Sequence, residues 1–278
     1  MAGILYLIAT PIGNLEDMTY RAVRLLGEVD LIAAEDTRNS IKLLNHFDIK
    51  TPMTSYHEHN KYEKAQVLVG KLLQGMNIAV ITDAGTPGIS DPGEEITRQC
   101  HEAGIQVVPV PGACAAVNAL IASGQATRRF AFEAFLPMDK KERQAVLTIL
   151  AKETRTIVVY EAPHRLKKTL QELLGTLGNR SVTVCREITK KHETFWKTTL
   201  QEAVDFYAVE EAKGECILVI AGLSWEAIET EAHQKWETMS IEKHLQMYLE
   251  QGIDKKEAMK LVAKDRGISK RDVYAACL

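Results

Sequence analysis

The sequence lacks the marks of a membrane-spanning or disulfide-bonded protein. No apolar run approaches the roughly 18–20 residues that a membrane span requires. The N-terminal residues carry no cationic stretch of the kind that opens a signal peptide. The 5 cysteines are odd in number and form no C-x-x-C pair, which favours reduced thiols over a disulfide framework or a zinc ribbon. We therefore predict a cytoplasmic protein without a membrane partner.

The sequence also lacks the G-x-G-x-x-G fingerprint of dinucleotide-binding proteins, which counts against an NAD or FAD enzyme. Its most distinctive stretch is 79–93, where an apolar strand runs into a loop rich in Gly and Pro. This loop has no Lys or Arg but carries Asp83 and Asp91. A phosphate-binding loop normally brings a cation, so this loop suits a neutral or positively charged ligand. Because open α/β sheets bind ligands at the carboxyl ends of their strands, we predict one wall of a binding site, with a plain strand–helix turn as the alternative.

Short apolar runs alternate with amphipathic segments along residues 1–117, which predicts an α/β domain with a parallel sheet. Residues 118–222 indicate a second α/β domain with a mixed sheet, since 192–199 alternates in character like an antiparallel strand. The last segment, 223–278, begins with polar and acidic residues 223–238, which are typical of a linker. The predicted fold class is therefore α/β, with two α/β domains and a small helical C-terminal extension.

Short helices are predicted in this extension at 241–250, 255–264 and 270–277. From just before the second of them to the end, seven Lys/Arg stand against four Asp/Glu. Two helices joined by a Gly-containing turn resemble a helix-turn-helix. Lys270 and Arg271 open the last helix, where a nucleic-acid-binding protein places contacts. An RNA-docking tail and a plain structural tail both remain open.

Two polar clusters also follow predicted strands. His57, Glu58 and His59 have residue types that bind metals, but adjacent residues on an extended chain point to opposite faces. Since no third ligand is evident, we predict polar loop contacts and no metal site. The other cluster, Glu35-Asp36-Thr37-Arg38, comes directly after a strand, where functional groups tend to lie.

Seven motifs occur in order along the whole sequence. They are Thr-Pro-Ile-Gly-Asn at 10–14, Ala-Glu-Asp-Thr-Arg at 34–38, Asp-Ala-Gly-Thr-Pro-Gly-Ile-Ser-Asp-Pro-Gly at 83–93, Val-Pro-Gly-Ala-Cys-Ala-Ala at 110–116, Glu-Ala-Phe-Leu-Pro at 133–137, Tyr-Glu-Ala-Pro-His-Arg at 160–165 and Arg-Glu-Ile-Thr-Lys-Lys-His-Glu at 186–193. Each motif alone is modest. Together they closely resemble the small-subunit ribosomal RNA 2′-O-ribose cytidine methyltransferase I family, which belongs to the tetrapyrrole methylase superfamily.

The resemblance implies two α/β domains of the tetrapyrrole methylase type with S-adenosyl-L-methionine in the cleft between them. It implies methylation of the ribose 2′-hydroxyl of a cytidine in the decoding region of 16S ribosomal RNA, with the RNA or the 30S particle as substrate, and a homodimer. The cofactor contacts that it implies are Pro11, Asp83, Ala84, Gly85, Ile89, Ser90, Cys114, Ala115, Glu161 and the region near Thr189. One departure is Ala113, where many relatives have Pro, so the helix entry is less rigid.

The catalytic groups are expected on loops of the second domain. A general base would help to remove the proton of the 2′-hydroxyl, and Glu161, Glu187 and Lys190 are the candidates. We predict that Glu161 and Lys190 lie near the chemistry and that Arg186 completes the catalytic site by clamping phosphate, as Arg38 could also do. Alternatively, Glu161 only orders the turn that follows it.

Two functions from other classes remain open. A precorrin-type tetrapyrrole methyltransferase would have the same fold and cofactor but a macrocyclic substrate. A non-catalytic RNA-binding module would bind no cofactor. The basic tail and the Thr-Pro-Ile-Gly-Asn motif speak against the tetrapyrrole substrate.

Overall fold

The computed structural model describes residues 1–234, 236 and 239–277. These residues form two compact units. The larger unit comprises Met1–Leu150 and Thr156–Ala221, and the smaller comprises Ala151–Arg155 and Gly222–Leu278. Two five-stranded sheets with their helices make up the described part of the larger unit. The α/β class predicted from the sequence is confirmed.

The elements have the following bounds. The strands are β1 (Ile4–Ile8), β2 (Leu31–Ala34), β3 (Met53–Ser55), β4 (Ile78–Ile81), β5 (Gln106–Val110), β6 (Phe130–Phe135), β7 (Thr156–Glu161), β8 (Ser181–Arg186), β9 (Thr194–Thr199) and β10 (Cys216–Ile220). The helices are α1 (Tyr20–Glu28), α2 (Thr37–His46), α3 (Lys61–Leu73), α4 (Gly93–Glu102), α5 (Ala115–Ala122), α6 (Lys140–Leu150), α7 (Pro163–Leu177), α8 (Leu200–Val209), α9 (Trp225–Gln234), α10 (Ile241–Glu250), α11 (Lys255–Arg266) and α12 (Lys270–Ala276).

The first sheet is parallel, with strand order β3-β2-β4-β1-β5. All four residues of β2 and of β4 are buried. Successive side chains of β4 enter cores on opposite faces of the sheet, Ile78 on one and Ala79 on the other. Burial on both faces explains why these strands are continuous apolar runs in the sequence. The loops after β1, β2, β4 and β5 all leave the carboxyl edge, where ligands of open α/β sheets bind.

The second sheet is mixed, with strand order β6-β7-β10-β8-β9. β6 and β7 are parallel, whereas the other neighbours are antiparallel, including β9 against β8 as predicted. A register shift between Phe132 and Ala134 marks a bulge in β6, and Ala134 has φ 49°. Bulges of this kind redirect a side chain next to functional sites, and Phe135 directly follows this one.

The smaller unit contains α9 to α12. Its core is apolar, with Leu245, Ala258, Val262 and Val273 buried. The helix α9 lies within the segment for which composition predicted a linker, and residues 235, 237 and 238 of that segment lie outside the described residues. The boundaries 1–117, 118–222 and 223–278 stay predictions.

Each helix in the described ranges is too short or too polar to cross a lipid bilayer.

Candidate active site

The Gly/Pro loop after β4 is shaped by the side chain of Asp91. Its carboxylate accepts hydrogen bonds from the backbone N–H groups of Gly88, Ile89 and Gly93, at distances from 2.8 to 3.1 Å. A Cβ at Gly93 would lie 2.6 Å from the Gly88 nitrogen, so the fold admits only glycine there. Ser90 has φ 66° in this tight turn. Asp91 therefore braces the loop.

Hydrogen bonds join this loop to its neighbours at the carboxyl edge. Thr10 and Gly85 exchange both of their N–H to O=C bonds, at 2.9 and 3.1 Å. The Thr86 hydroxyl donates to the carbonyl of Ala113 at 2.9 Å. The loops after β1, β4 and β5 thus form one connected frame.

The loop after β2 is tied to the same frame through Asp83. The Asp83 carboxylate accepts from the Asp36 N–H at 3.2 Å and from the Asn39 side-chain amide at 3.3 Å. In turn, the Asp83 N–H donates to the Glu35 carboxylate at 3.4 Å. Arg38 is bound through its guanidinium group to Asp36, at 2.7 Å.

A first cavity of about 350 Å³ lies between this frame and the second sheet. The frame contributes Ile12, Glu35, Thr82, Ala84–Thr86, Ile89–Asp91, Cys114 and Ala115, and the second sheet contributes Phe135, Tyr160–Pro163 and Glu215–Ile217. None of these lining residues, all from the described part of the chain, is Lys or Arg. Burial raises the pKa of Glu35, and the neighbouring carboxylates of Asp83 and Asp91 add to that shift. The cavity is thus an acidic space with apolar walls.

Glu161 lies at the edge of this cavity with its side chain fully buried. One carboxylate oxygen accepts from the Ala162 N–H at 2.9 Å and lies 3.3 Å from the Arg165 guanidinium nitrogen. The other accepts from the Thr169 hydroxyl and lies 3.9 Å from Arg143. Both oxygens are therefore engaged at the start of α7.

A second cavity of about 420 Å³ adjoins the first. Its polar lining is Thr10, Asn39, Lys42, Asp83, Lys190 and Glu215, and its other lining is Pro11–Gly13, Leu15, Leu43 and Ala84. Ile12, Ala84 and Glu215 line both cavities and form a shared wall.

Lys190 enters the second cavity from a strained loop between β8 and β9. Glu187 and Thr189 have φ 51° and 67°, a region that costs energy for residues other than Gly. The Lys190 alkyl chain lies so close to Gly13 that a Cβ there would be 2.4 Å from its Cγ. Its ammonium group is 3.1 Å from Glu187 and 3.1 Å from Glu215. Burial lowers the pKa of Lys190, but these carboxylates outweigh burial, so its pKa is raised and the group is a cation at neutral pH.

Comparison with known proteins identifies the family. The model of the Tetrapyrrole (Corrin/Porphyrin) Methylases matches residues 4–204. A "Ribosomal RNA small subunit methyltransferase I" of Halalkalibacterium halodurans is 51% identical over 98% of this chain and 93% of the relative. A Synechocystis protein of the same name is 50% identical over 99% of this chain and 98% of the relative.

The chain belongs to the ribosomal RNA small subunit methyltransferase I family, within the tetrapyrrole methylases.

A solved structure of another methyltransferase shares the fold. Uroporphyrin-III C-methyltransferase from Thermus thermophilus, solved with S-adenyl homocysteine, aligns with a TM-score of 0.54 over 82% of this chain and 100% of that one. Its sequence identity is 20%, so it establishes the fold alone.

The residues that the sequence singled out fall into three groups. Lining the first cavity are Ala84, Gly85, Ile89, Ser90, Cys114, Ala115 and Glu161, and lining the second are Pro11, Asp83, Ala84 and Lys190. Arg186 and Thr189 are not among the residues that line these two cavities. The Arg186 guanidinium group donates to the Lys213 carbonyl at 2.6 Å, and the Thr189 N–H donates to Glu193 at 2.6 Å.

Several lining residues were not predicted. Glu215 lines both cavities, and Lys42 and Asn39 line the second, from α2. Glu215 directly precedes the apolar strand β10 and follows Gly214, and this position is the only signal that the sequence offers. Lys42 has the appearance of an ordinary exposed helix residue.

His57 and His59 make local contacts, with ring centroids 6.0 Å apart. The His57 N–H donates to the Asn60 side chain at 2.9 Å. Within the described ranges, no group of three His, Cys, Asp or Glu side chains has metal-binding geometry.

Proposed function

We propose that this protein transfers the methyl group of S-adenosylmethionine to the ribose 2′-hydroxyl of a cytidine in the decoding region of small-subunit ribosomal RNA. The single observation that carries the proposal is the identity of 51% and 50%, over nearly the full length, to relatives named ribosomal RNA small subunit methyltransferase I. The cytidine and its 2′-oxygen come from the motif resemblance.

The first cavity fits S-adenosylmethionine. The cofactor, when bound, supplies an electrophilic methyl group on a sulfonium cation. The lining carboxylates Glu35 and Glu215, together with the lack of lining cations in the described residues, favour a positive ligand. Apolar side chains such as Ile89 and Phe135 suit the adenosyl group. We assign cofactor contacts to Ala84, Gly85, Ile89, Ser90, Cys114 and Ala115.

Lys190 is proposed to act on the acceptor as a cation and not as a base. Its raised pKa keeps the proton on the amine at neutral pH. A positioned cation stabilises negative charge as it develops on the attacking oxygen. The loop that carries Lys190 is held by Glu187, and we propose that Arg186 fixes the base of this loop through the Lys213 carbonyl.

Glu161 is proposed as a positioning residue. Its two oxygens are bound to Ala162, Thr169 and two arginines, so both oxygens are engaged by groups of the protein itself. Glu161 and these partners hold the start of α7, where Ala162 and Pro163 line the first cavity.

Ribosomal RNA from a strain without this gene tests the proposal. Nuclease digestion and mass spectrometry should show loss of one 2′-O-methylcytidine in the decoding region, and the gene on a plasmid should restore it. An unchanged level of this nucleoside would refute the proposed function.

The precorrin-type alternative has weaker support. The structural relative with a uroporphyrin substrate in its name shares 20% identity. Incubation of the purified protein with uroporphyrinogen and labelled S-adenosylmethionine should yield no labelled tetrapyrrole.

A further inference from the structure

The second cavity is lined by charged groups of both signs and by polar side chains. Asn39 and Lys42 line it from the helix α2, and Lys190 lines it from the loop between β8 and β9. Two lysines from separate elements thus line one cavity, whereas the first cavity has none among its described lining residues. The lysine side chains therefore line the second cavity and not the first cavity, which is proposed to hold the cofactor.

Lys42 is available to an anion. Within the described part of the chain, it forms no ion pair, while Arg38, one turn earlier on α2, is held by Asp36. Lys190 is already shared between Glu187 and Glu215. Lys42 is exposed, so a backbone phosphate reaches it without the desolvation of a buried charge.

Glu215 stands at the wall between the two cavities. Of the carboxylates that line the second cavity in the described residues, Asp83 is bound by the Asp36 N–H and the Asn39 amide, whereas Glu215 is 77% exposed and contacts the Lys190 ammonium group. Glu215 alone among these lining carboxylates reaches both cavities. Its backbone is fixed because the Glu215 N–H donates to Glu187 at 3.0 Å.

We propose that the second cavity is the acceptor site, in which Lys42 binds a phosphate of the RNA and Glu215 takes the proton of the acceptor hydroxyl group. This inference rests on the proposed function. The acceptor oxygen forms a bond to the methyl carbon as the carbon–sulfur bond breaks, and that electron pair stays on sulfur, which becomes neutral. The hydroxyl proton moves to the Glu215 carboxylate, and the Lys190 ammonium group stabilises the negative charge that develops on the acceptor oxygen.

The phosphate contact is tested with Lys42→Gln in the full-length protein. The substrate is the small ribosomal subunit from a strain without the gene, and the readout is transfer from tritiated S-adenosylmethionine. One lost phosphate contact should raise KM about fivefold at moderate salt and reduce the slope of log affinity against log salt by about 0.7–0.9. The cofactor Kd, measured by calorimetry, should stay as in the wild type.

Lys50→Gln is the matched control. Lys50 follows α2, is 78% exposed and is paired with Asp48, and it lines neither cavity. If Lys42→Gln and Lys50→Gln have the same KM and the same salt slope, the phosphate site is refuted. If the wild type transfers no methyl group to the particle, the proposed function itself fails, so the two failures are distinguishable.

The proton transfer is tested with Glu215→Gln. A lost general base should lower kcat by about 10²–10⁴-fold. It should also remove the fall of kcat on the acid side of the pH profile, which a purely structural residue would leave in place. Glu211→Gln, an exposed residue of the same loop, should behave as the wild type. A Glu215→Gln enzyme that keeps the acid limb of the profile refutes this role.

Discussion

Arg143 joins two carboxylates, one at the end of β7 and one on α7. Its guanidinium group is 2.6 Å from Glu172 and 3.9 Å from the buried Glu161, and its own side chain is 9% exposed. Arg143→Ala would leave Glu161 with one cation fewer, and breaking a buried pair costs about 3–5 kcal/mol. We expect the free energy of unfolding, measured by urea titration, to fall by about 3 kcal/mol.

Arg24→Ala supplies the comparison. Arg24 pairs with Glu28 on α1, with both side chains more than half exposed. Exposed pairs contribute at most about 1 kcal/mol. An equal decrease in the free energy of unfolding in the two variants would show that the buried Arg143 ion pairs stabilise the fold no more than an exposed pair does.

The pKa of Glu35 predicts a pH dependence of cofactor binding. Burial raises this pKa above its ordinary value in the free protein, and a bound cation would favour the ionised form. Binding should therefore release a proton, and affinity should fall as the pH drops through the Glu35 pKa. Calorimetry between pH 7 and pH 5 should show this decline in the wild type and a flatter profile in Glu35→Gln. Parallel profiles would exclude Glu35 as the titrating group.

For single residues, the sequence identified candidate site residues where the neighbouring residues of the site lie in the same loop. Asp91, Ser90 and Gly85 could be assigned to a binding loop because Gly, Pro and acidic residues cluster there. Lys42 and Glu215 could not, since their shared cavity joins α2 to the start of β10, far apart in the chain. Nor could the pairing of Glu161 with two arginines be read from local patterns, because Arg143 lies on α6, far from Glu161 in the chain.

Among the elements, the turn into α4 depends on a single glycine. A Cβ at Gly93 would lie 2.6 Å from the Gly88 nitrogen and 2.8 Å from the Asp91 carboxylate. Gly93→Ala should open the loop and weaken S-adenosylmethionine binding by about tenfold or more, which corresponds to roughly 1.4 kcal/mol. Fluorescence or calorimetric titration measures the change.

Gly70→Ala is its control within the same sheet domain. Gly70 lies in α3, and a Cβ there would contact nothing within 4 Å. Since Ala is the better helix former by about 1 kcal/mol, this variant should be slightly more stable and bind the cofactor normally. A cofactor Kd that is equally weak in both variants would point to a general effect of glycine replacement.

The elements with the strongest apolar signal were also the best predicted. β2 and β4 are buried at every position, so their sequences contain little else than apolar residues. The helix α9 was missed because its residues are mostly polar, and composition suggested a linker. A buried element shows a clear apolar pattern in the sequence, whereas a helix with few buried residues shows only a weak apolar pattern.

For the whole molecule, the family resemblance predicts a homodimer. Val117 and Ile121 are 46% and 66% exposed and lie side by side on α5, and contiguous exposed apolar surface is a mark of interfaces. Light scattering coupled to size exclusion should give twice the mass of the chain at micromolar concentration. A mass equal to one chain across that range would contradict the prediction.

The order of strands in each sheet could not be derived from residue patterns alone. The resemblance implied the architecture, and the structure shows how it places the loops after β1, β2, β4 and β5 at one edge. Pairing between strands depends on contacts across the chain, which local periodicity does not record.

The double backbone bridge between Thr10 and Gly85 has a thermodynamic consequence. Because it ties together the loops that frame both cavities, a ligand in either one restrains the same atoms. The ordering entropy is then lost once, and the second ligand binds more tightly than it would alone. Linkage requires the gain to be reciprocal. S-adenosylhomocysteine should therefore strengthen binding of the ribosomal particle by the same factor by which the particle strengthens binding of S-adenosylhomocysteine, and independent affinities would show that the two loops move separately.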